Sequence, residues 1–104
     1  MAKKEKFFPN VGDKVTLWDL YNDARFPYTV ISVSKTEVLV QECALYFAKA
    51  RYFDSIADDI RENPNGRIRR LHWSPRCGEW KVAPVEKYSL IALFGKWEHE
   101  PYVS

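Results

Sequence analysis

Val11-Gly12-Asp13-Lys14-Val15 opens a run of alternating segments that continues through residues 28–33 and 38–43. Alternation of apolar and polar residues over short stretches, separated by polar turns, is typical of β-strands with one buried face. The polar connection 34–37 lies between two β-branched runs and predicts a tight hairpin. Together these segments predict the first strands of a small, twisted β-barrel, which is a scaffold for binding.

The length and composition favour one small domain. A chain of 104 residues can bury a core of its own but is too short for two lobes with a cleft between them. We expect an N-terminal tail over residues 1–10, with Phe7 and Phe8 tucked against the barrel, and a single β-barrel domain over residues 11–104. The net charge of +2 comes from mixed charges of both signs, so any basic patch must be local.

Residues 45–62 can be interpreted in two ways. Apolar residues recur there at helical spacing, and they are Leu45, Ala48, Tyr52, Ile56 and Ile60. This spacing predicts a helical insertion. The alternative is a long loop ending in a strand over 58–62, which would pair with residues 67–73 across the turn at 63–66. Asn65-Gly66 in that turn is typical of a connection that needs positive φ angles.

The number of strands and their short connections define the expected fold class. We predict a mainly-β domain, specifically a small SH3-like, partly open barrel of about five to seven strands with one helical insertion.

Several short motifs resemble a group of small β-rich proteins from bacteriophages and prophages. They are Thr29-Val30-Ile31 with Ser34-Lys35, Val40-Gln41, the turn Asn63 to Gly66, Trp73, Gly78-Glu79-Trp80, and Phe94-Gly95 followed by Glu98 to Tyr102. The chain departs from the family pattern over residues 44–57, which are rich in alanine and aromatic residues where that pattern is polar. The resemblance implies a phage or prophage origin and implies no particular activity.

No metal, cofactor or membrane partner is expected. The four candidate zinc ligands are Cys43, His72, Cys77 and His99, and they lack the close pairs that let one turn present two ligands. No apolar run reaches the roughly 18 to 20 residues that cross a bilayer. No apolar segment follows the charged start of the chain. We therefore expect two free thiols and a location in the cytoplasm of the bacterial host.

A basic and aromatic cluster follows the predicted Asn-Gly turn. Its members are Arg67, Arg69, Arg70, Trp73, Arg76 and Trp80. Guanidinium groups bind phosphate oxygens bidentately, and aromatic faces stack on bases. The cluster therefore predicts a surface that binds nucleic acid or a nucleotide.

Strand alternation divides this cluster between two faces. One face receives Arg67, Arg69, Leu71 and Trp73, and the other receives Ile68, Arg70 and His72. Neither face is purely basic. A simpler interpretation is that the arginines pair across the hairpin with Asp58, Asp59 or Glu62.

An acidic stripe would form if residues 45–62 were helical. It would consist of Asp54, Asp58, Asp59 and Glu62. With the aromatic residues Trp18 and Trp97, this stripe predicts an alternative surface that binds a basic host protein. The stripe can also be explained as a solvated helix face balanced by nearby lysine and arginine.

No catalytic signature is present, so we expect a non-catalytic phage-type accessory binding protein rather than an enzyme. The first hypothesis is nucleic-acid or nucleotide binding through the Arg/Trp surface. The alternative is inhibition of a host protein, for example a defence component, through the acidic and aromatic surfaces. A small hydrolase is a third and poorer interpretation.

Overall fold

The computed structural model describes residues 5–47, 56–86 and 88–102. Eight β-strands and no helix lie in these ranges, which confirms a mainly-β domain. The strands are β1 Lys14–Asp19, β2 Ala24–Val33, β3 Glu37–Glu42, β4 Ala44–Tyr46, β5 Asp59–Arg61, β6 Ile68–Ser74, β7 Glu79–Val82 and β8 Ile91–Phe94.

Six of these strands form a closed antiparallel barrel in the order β1-β2-β3-β6-β7-β8. The ring closes because β8 pairs with β1, with Phe94 opposite Val15 and Ile91 opposite Trp18. The expected partly open, SH3-like type is therefore not supported. The predicted hairpin at residues 34–37 is present, and Ser34 N–H donates to the Glu37 carbonyl at 2.9 Å.

The helical insertion expected at residues 45–62 is wrong for the part of it that the structure describes. β4 and β5 form a separate two-stranded sheet between β3 and β6 in the chain, with Leu45 opposite Ile60. These two apolar residues are cross-strand partners, and their sequence separation happens to fit a helical period. The alternative pairing of residues 58–62 with 67–73 is also wrong, because β5 pairs with β4. Residues 48–55 lie outside the described ranges.

The turn at residues 63–66 is present, but its glycine is needed for a different reason from the predicted one. Gly66 N–H donates to the Asn63 carbonyl at 2.9 Å, and the Asn63 side chain accepts from Asn65 N–H at 3.0 Å. Gly66 does not have a positive φ. A Cβ at this position would overlap the backbone carbonyl of Glu42, so close approach of two backbone segments requires glycine here.

The barrel interior is filled by one apolar core. Its fully buried members are Val15, Leu17, Val30, Val38, Val40, Leu71 and Trp80. They come from β1, β2, β3, β6 and β7, and Ala92 adds a contribution from β8, so all six strands of the ring build the core.

The predicted N-terminal lid covers one end of this core. We use the name N-terminal lid for Phe7 and Phe8. The Phe7 ring packs edge-on against Trp73 and Phe94, with centroids 6.0 and 5.3 Å away. Trp80 Nε1 donates to the Phe7 carbonyl at 2.9 Å. The lid therefore seals the aromatic end of the barrel.

The outer face of β1 and β2 is covered by the chain itself. The C-terminal segment, residues 96–102, lies along it. Thr16 Oγ1 donates to the Lys96 carbonyl at 2.9 Å and accepts from Glu98 N–H at 2.9 Å. Trp97 Nε1 donates to the Tyr28 carbonyl at 2.8 Å. This side of the barrel is consequently closed to a partner in this structure.

His99 joins the C-terminal segment to the inserted segment that carries β4 and β5. Its Nδ1 accepts from Ala57 N–H at 2.8 Å, and its ring packs edge-on against Phe47 with centroids 6.3 Å apart. An acceptor Nδ1 must be unprotonated, so the bond requires the neutral imidazole. Burial lowers the pKa of His99 below its ordinary value of 6.5, and nearby Glu100 opposes that change.

The His99 bond predicts a pH-dependent stability. Because the pKa of His99 is lowered in the folded state, the unfolded state binds the proton more readily. The contribution of this bond to the free energy of unfolding is therefore fully present above pH 6.5, and it is lost as the pH falls through the lowered pKa. We expect His99→Asn, whose amide oxygen can accept from Ala57, to lose this pH dependence. The hydrogen bond contributes about 1 kcal/mol to the free energy of unfolding, the net value of one such bond. Urea unfolding at several pH values above 5.5 measures it, with His72→Asn as the control. If the free energy of unfolding of His99→Asn changed with pH as it does in the unmodified chain, the pH dependence would not come from His99.

Candidate binding surface

The predicted division of β6 between two faces is confirmed. Leu71 lies in the core and is opposite Val38, while Arg69 is opposite Val40. Because side chains alternate along a strand, Arg69 and Trp73 share the inward side with Leu71, and Ile68, Arg70 and His72 point outward. The arginines of the cluster are therefore separated by the fold.

Arg69 is engaged at one end of the barrel interior. Its guanidinium interacts with the Tyr28 hydroxyl, which donates to the Glu42 carboxylate at 3.3 Å. Burial raises the pKa of Tyr28, the Glu42 carboxylate raises it further, and Arg69 opposes the rise. The positive charge of Arg69 thus offsets the effect of the Glu42 carboxylate on the partly buried Tyr28 hydroxyl.

Arg70 and Arg67 differ in what they contact. Arg70 Nε lies 3.2 Å from a Glu37 carboxylate oxygen, and His72 Nε2 lies 3.5 Å from the same oxygen. Arg67 is exposed, and its side chain has no partner among residues 5–47, 56–86 and 88–102. The expected pairing across the hairpin is not seen for Asp59, which pairs with Arg61 at 2.7 Å and not with an arginine of the cluster.

The two tryptophans of the cluster belong to the sealed end of the barrel. Trp80 is 0% exposed, and its ring packs edge-on against Trp73 at 5.7 Å and near Phe8 at 6.1 Å. Trp73 is half-buried beneath Phe7. The buried Trp80 ring therefore offers no face to a nucleic-acid base, and Trp73 offers only part of its ring.

Arg76 lies apart from the other arginines. It is in the loop after β6, whereas Arg67 directly precedes β6. The seven residues of this strand span roughly 20 Å at about 3.3 Å per residue. Arg76 and Arg67 therefore cannot bind one phosphate group together.

The structure brings part of the alternative surface together, because Asp58, Asp59 and Trp97 line one surface pocket with Lys14 and Lys96. Asp54 lies outside the described residues, and Asp58 and Asp59 belong to the region of β5. Trp18 Nε1 donates to Asp23 at 3.0 Å on the outer side of β1. Trp97 is half-buried, with the Lys14 ammonium 4.6 Å from its ring centroid. These side chains have local structural partners.

An uncovered groove lies on the outer face of β3 and β6. Three outward-facing cross-strand pairs build that face: Glu37 with His72, Leu39 with Arg70, and Gln41 with Ile68. Ala83 and Pro84 form the other wall, and Ala83 N–H donates to the Arg70 carbonyl at 2.9 Å. The groove has a volume of about 560 Å³.

The groove combines apolar and cationic groups. Its lining residues are Leu39, Ile68, Arg69, Arg70, His72, Ala83 and Pro84. Ile68 is 53% exposed although it lies in a strand. Strand alternation in the sequence places Ile68 on the same face as Arg70 and His72, but no local signal marks it as a binding residue. Its apolar neighbours across the groove are distant in sequence, so only the fold brings them together.

The described residues contain no group of three or more His, Cys, Asp or Glu that could hold a metal ion. Both cysteines are free, with Cys43 buried and Cys77 exposed. No helix in the described ranges is long and apolar enough to cross a membrane. Comparison with protein-family models, with curated proteins and with solved structures finds no match.

Proposed function

We propose that this protein is a non-catalytic, phage-type accessory protein that binds an acidic protein of the bacterial host through the groove on β3 and β6. The name groove surface is used below for Leu39, Ile68, Arg70, Ala83 and Pro84. The observation that carries the proposal is the exposed Ile68 in the lining of a groove whose charged residues are arginines.

The composition of the groove surface favours a protein partner. Protein interfaces combine an apolar centre with a polar rim, and arginine is enriched in them. Ile68 and Leu39 supply the apolar centre, and Arg70 lies beside both. Burying Ile68 against a partner would remove apolar area from water at roughly 25 cal/mol per Å².

The charges of the groove favour an acidic partner. Arg70 and His72 line it from the outer side of β6, and Glu37, the partner of Arg70, is the nearby carboxylate. Arg67 adds a positive charge next to Ile68, with no partner for its side chain in the described part of the chain. Complementary charge steers association and selects among partners. The expected partner is therefore acidic, whereas the acidic stripe predicted a basic partner.

Nucleic-acid binding is the second candidate, favoured by the exposed Arg67 beside Arg69 and Arg70. Phosphate contacts by these side chains would give a salt-dependent affinity without sequence preference. The burial of Trp80 and the half-burial of Trp73 weaken this candidate, because base stacking supplies much of the affinity for single strands.

Capture from a bacterial lysate with the tagged full chain, with and without nuclease, separates the two candidates. The captured protein is then purified, and its affinity is measured with Ile68→Glu and with Leu20→Glu. Leu20 is a matched control because it is 49% exposed and lies in the β1–β2 loop. Circular dichroism confirms that both variants fold.

We expect capture to survive nuclease and Ile68→Glu to weaken binding about tenfold or more, the effect of losing an interface hot spot. Leu20→Glu should bind normally. Equal loss in both variants would contradict the proposed surface, and loss of capture on nuclease treatment would favour nucleic acid.

A further inference from the structure

A second pocket lies beside β7, apart from the groove surface. It has a volume of about 610 Å³, within the range of roughly 300 to 1,000 Å³ typical of small-molecule sites. Its lining residues are Tyr21, Ser74, Arg76, Cys77, Lys81, Val85 and Glu86. They come from the β1–β2 loop, the β6–β7 loop, β7 and the connection to β8. We call it the β7 pocket.

A buried hydroxyl in the β7 pocket retains an unused donor. Ser74 is 5% exposed, and its Oγ accepts from Cys77 N–H at 3.4 Å. The hydroxyl proton has no acceptor among the residues that the structure describes. The Oγ atom already accepts one hydrogen bond, and its rotatable O–H can donate to an acceptor atom of a ligand in the pocket.

Two cationic side chains line the same pocket. Arg76 is exposed, and within the described ranges its side chain has no partner. Lys81 is buried, and its Nζ donates to the Glu86 carbonyl at 3.0 Å, which holds the connection to β8 over β7. The one carboxylate of the lining is that of Glu86. Arg76 is thus the exposed cation of this lining, and its guanidinium favours an anionic ligand.

The remaining wall is aromatic and apolar. The Tyr21 ring packs against the Tyr88 ring with centroids 4.6 Å apart, and Val85 lies in the same lining. This contact joins the β1–β2 loop to the connection between β7 and β8. An aromatic wall provides a contact surface for a flat ring.

We infer that the β7 pocket binds a small molecule that joins an anionic group to a flat ring. In this arrangement Arg76 holds the anionic group, the Ser74 hydroxyl donates to an acceptor atom, and the ring lies against Tyr21. A nucleoside monophosphate is representative of this class. This inference does not depend on the groove surface, because the two sites share no lining residue.

The exposed Cys77 thiol in the lining provides a direct readout. We would measure alkylation of the full chain by iodoacetamide, a neutral reagent, with mass spectrometry locating the label. Cys43 is an internal control, because it is buried and burial raises the pKa of its thiol. The probes are adenosine monophosphate, adenosine alone and inorganic phosphate alone.

Adenosine monophosphate should slow the labelling of Cys77 in a saturable manner, and either half of the molecule should do so only at much higher concentration. Arg76→Gln should raise the concentration needed by about tenfold or more, since it removes a charge-assisted hydrogen bond. Arg67→Gln is the matched control, because Arg67 is also exposed and its side chain has no described partner. This control should behave as the unmodified chain.

Three results would overturn the inference. The first is no protection of Cys77 by adenosine monophosphate. The second is equal protection by phosphate or by adenosine alone, which would show that the pocket does not require both groups. The third is an equal effect of Arg67→Gln and Arg76→Gln on the concentration needed for protection. This would show that the overall charge of the protein, and not Arg76 in the pocket, determines binding.

Discussion

Trp80→Ala should destabilise the protein by about 3 to 5 kcal/mol, a large part of the total of about 5 to 15 kcal/mol for a typical domain. Trp80 is 0% exposed and packs near both Trp73 and Phe8. Its indole N–H also donates to the Phe7 carbonyl. Its removal therefore leaves a cavity and releases the N-terminal lid. Urea unfolding followed by circular dichroism measures the change.

Trp18→Ala is the matched control for this prediction. Trp18 is a half-buried tryptophan on the outer side of β1, hydrogen bonded to Asp23. Its removal leaves the core intact, so it should cost clearly less than Trp80→Ala. Similar losses in the two variants would show that Trp80 is not the centre of the core.

Gly66→Ala should cost about 1 to 3 kcal/mol, the usual penalty when added atoms must be accommodated in a tightly packed site. The added Cβ would overlap the Glu42 carbonyl, and Glu42 N–H is itself bonded to the Arg67 carbonyl at 2.8 Å. The backbone at Glu42 is therefore held in place and cannot move aside without losing that bond. Thermal unfolding monitored by tryptophan fluorescence measures the loss.

Gly66→Asn distinguishes this explanation from the positive φ suggested by the sequence. Asparagine tolerates positive φ better than alanine does. If overlap with Glu42 is the cause, asparagine should be as harmful as alanine. Clear recovery of stability with asparagine would contradict the close-approach explanation.

Local pattern was sufficient to predict the strands of the barrel but neither their arrangement nor β4 and β5. The alternation on β6 placed Arg69 and Leu71 on one face and Ile68 and Arg70 on the other, as the fold shows. Alternation depends only on neighbouring residues. Closure of the barrel depends on the pairing of β1 with β8, which are separated by most of the chain, and no local pattern reports it.

The binding site was harder to predict for a related reason. The sequence showed Arg67 to Trp80 as one basic and aromatic cluster, but composition does not reveal that the N-terminal lid buries Trp80. The groove surface depends on β3, β6 and residues 83–84 lying side by side. The residues of β4 and β5 fitted a helical period because apolar residues in two short strands can match that spacing over a short window.

The central claim is that the outer face of β3 and β6 binds an acidic protein. Methyl NMR of the full chain, labelled at isoleucine, leucine and valine, tests it during titration with the captured and purified protein. We predict that the methyl signals of Ile68 and Leu39 shift or broaden first, while those of Leu20 and Val11 stay unchanged. Unperturbed Ile68 and Leu39 signals in a saturated complex would contradict the account.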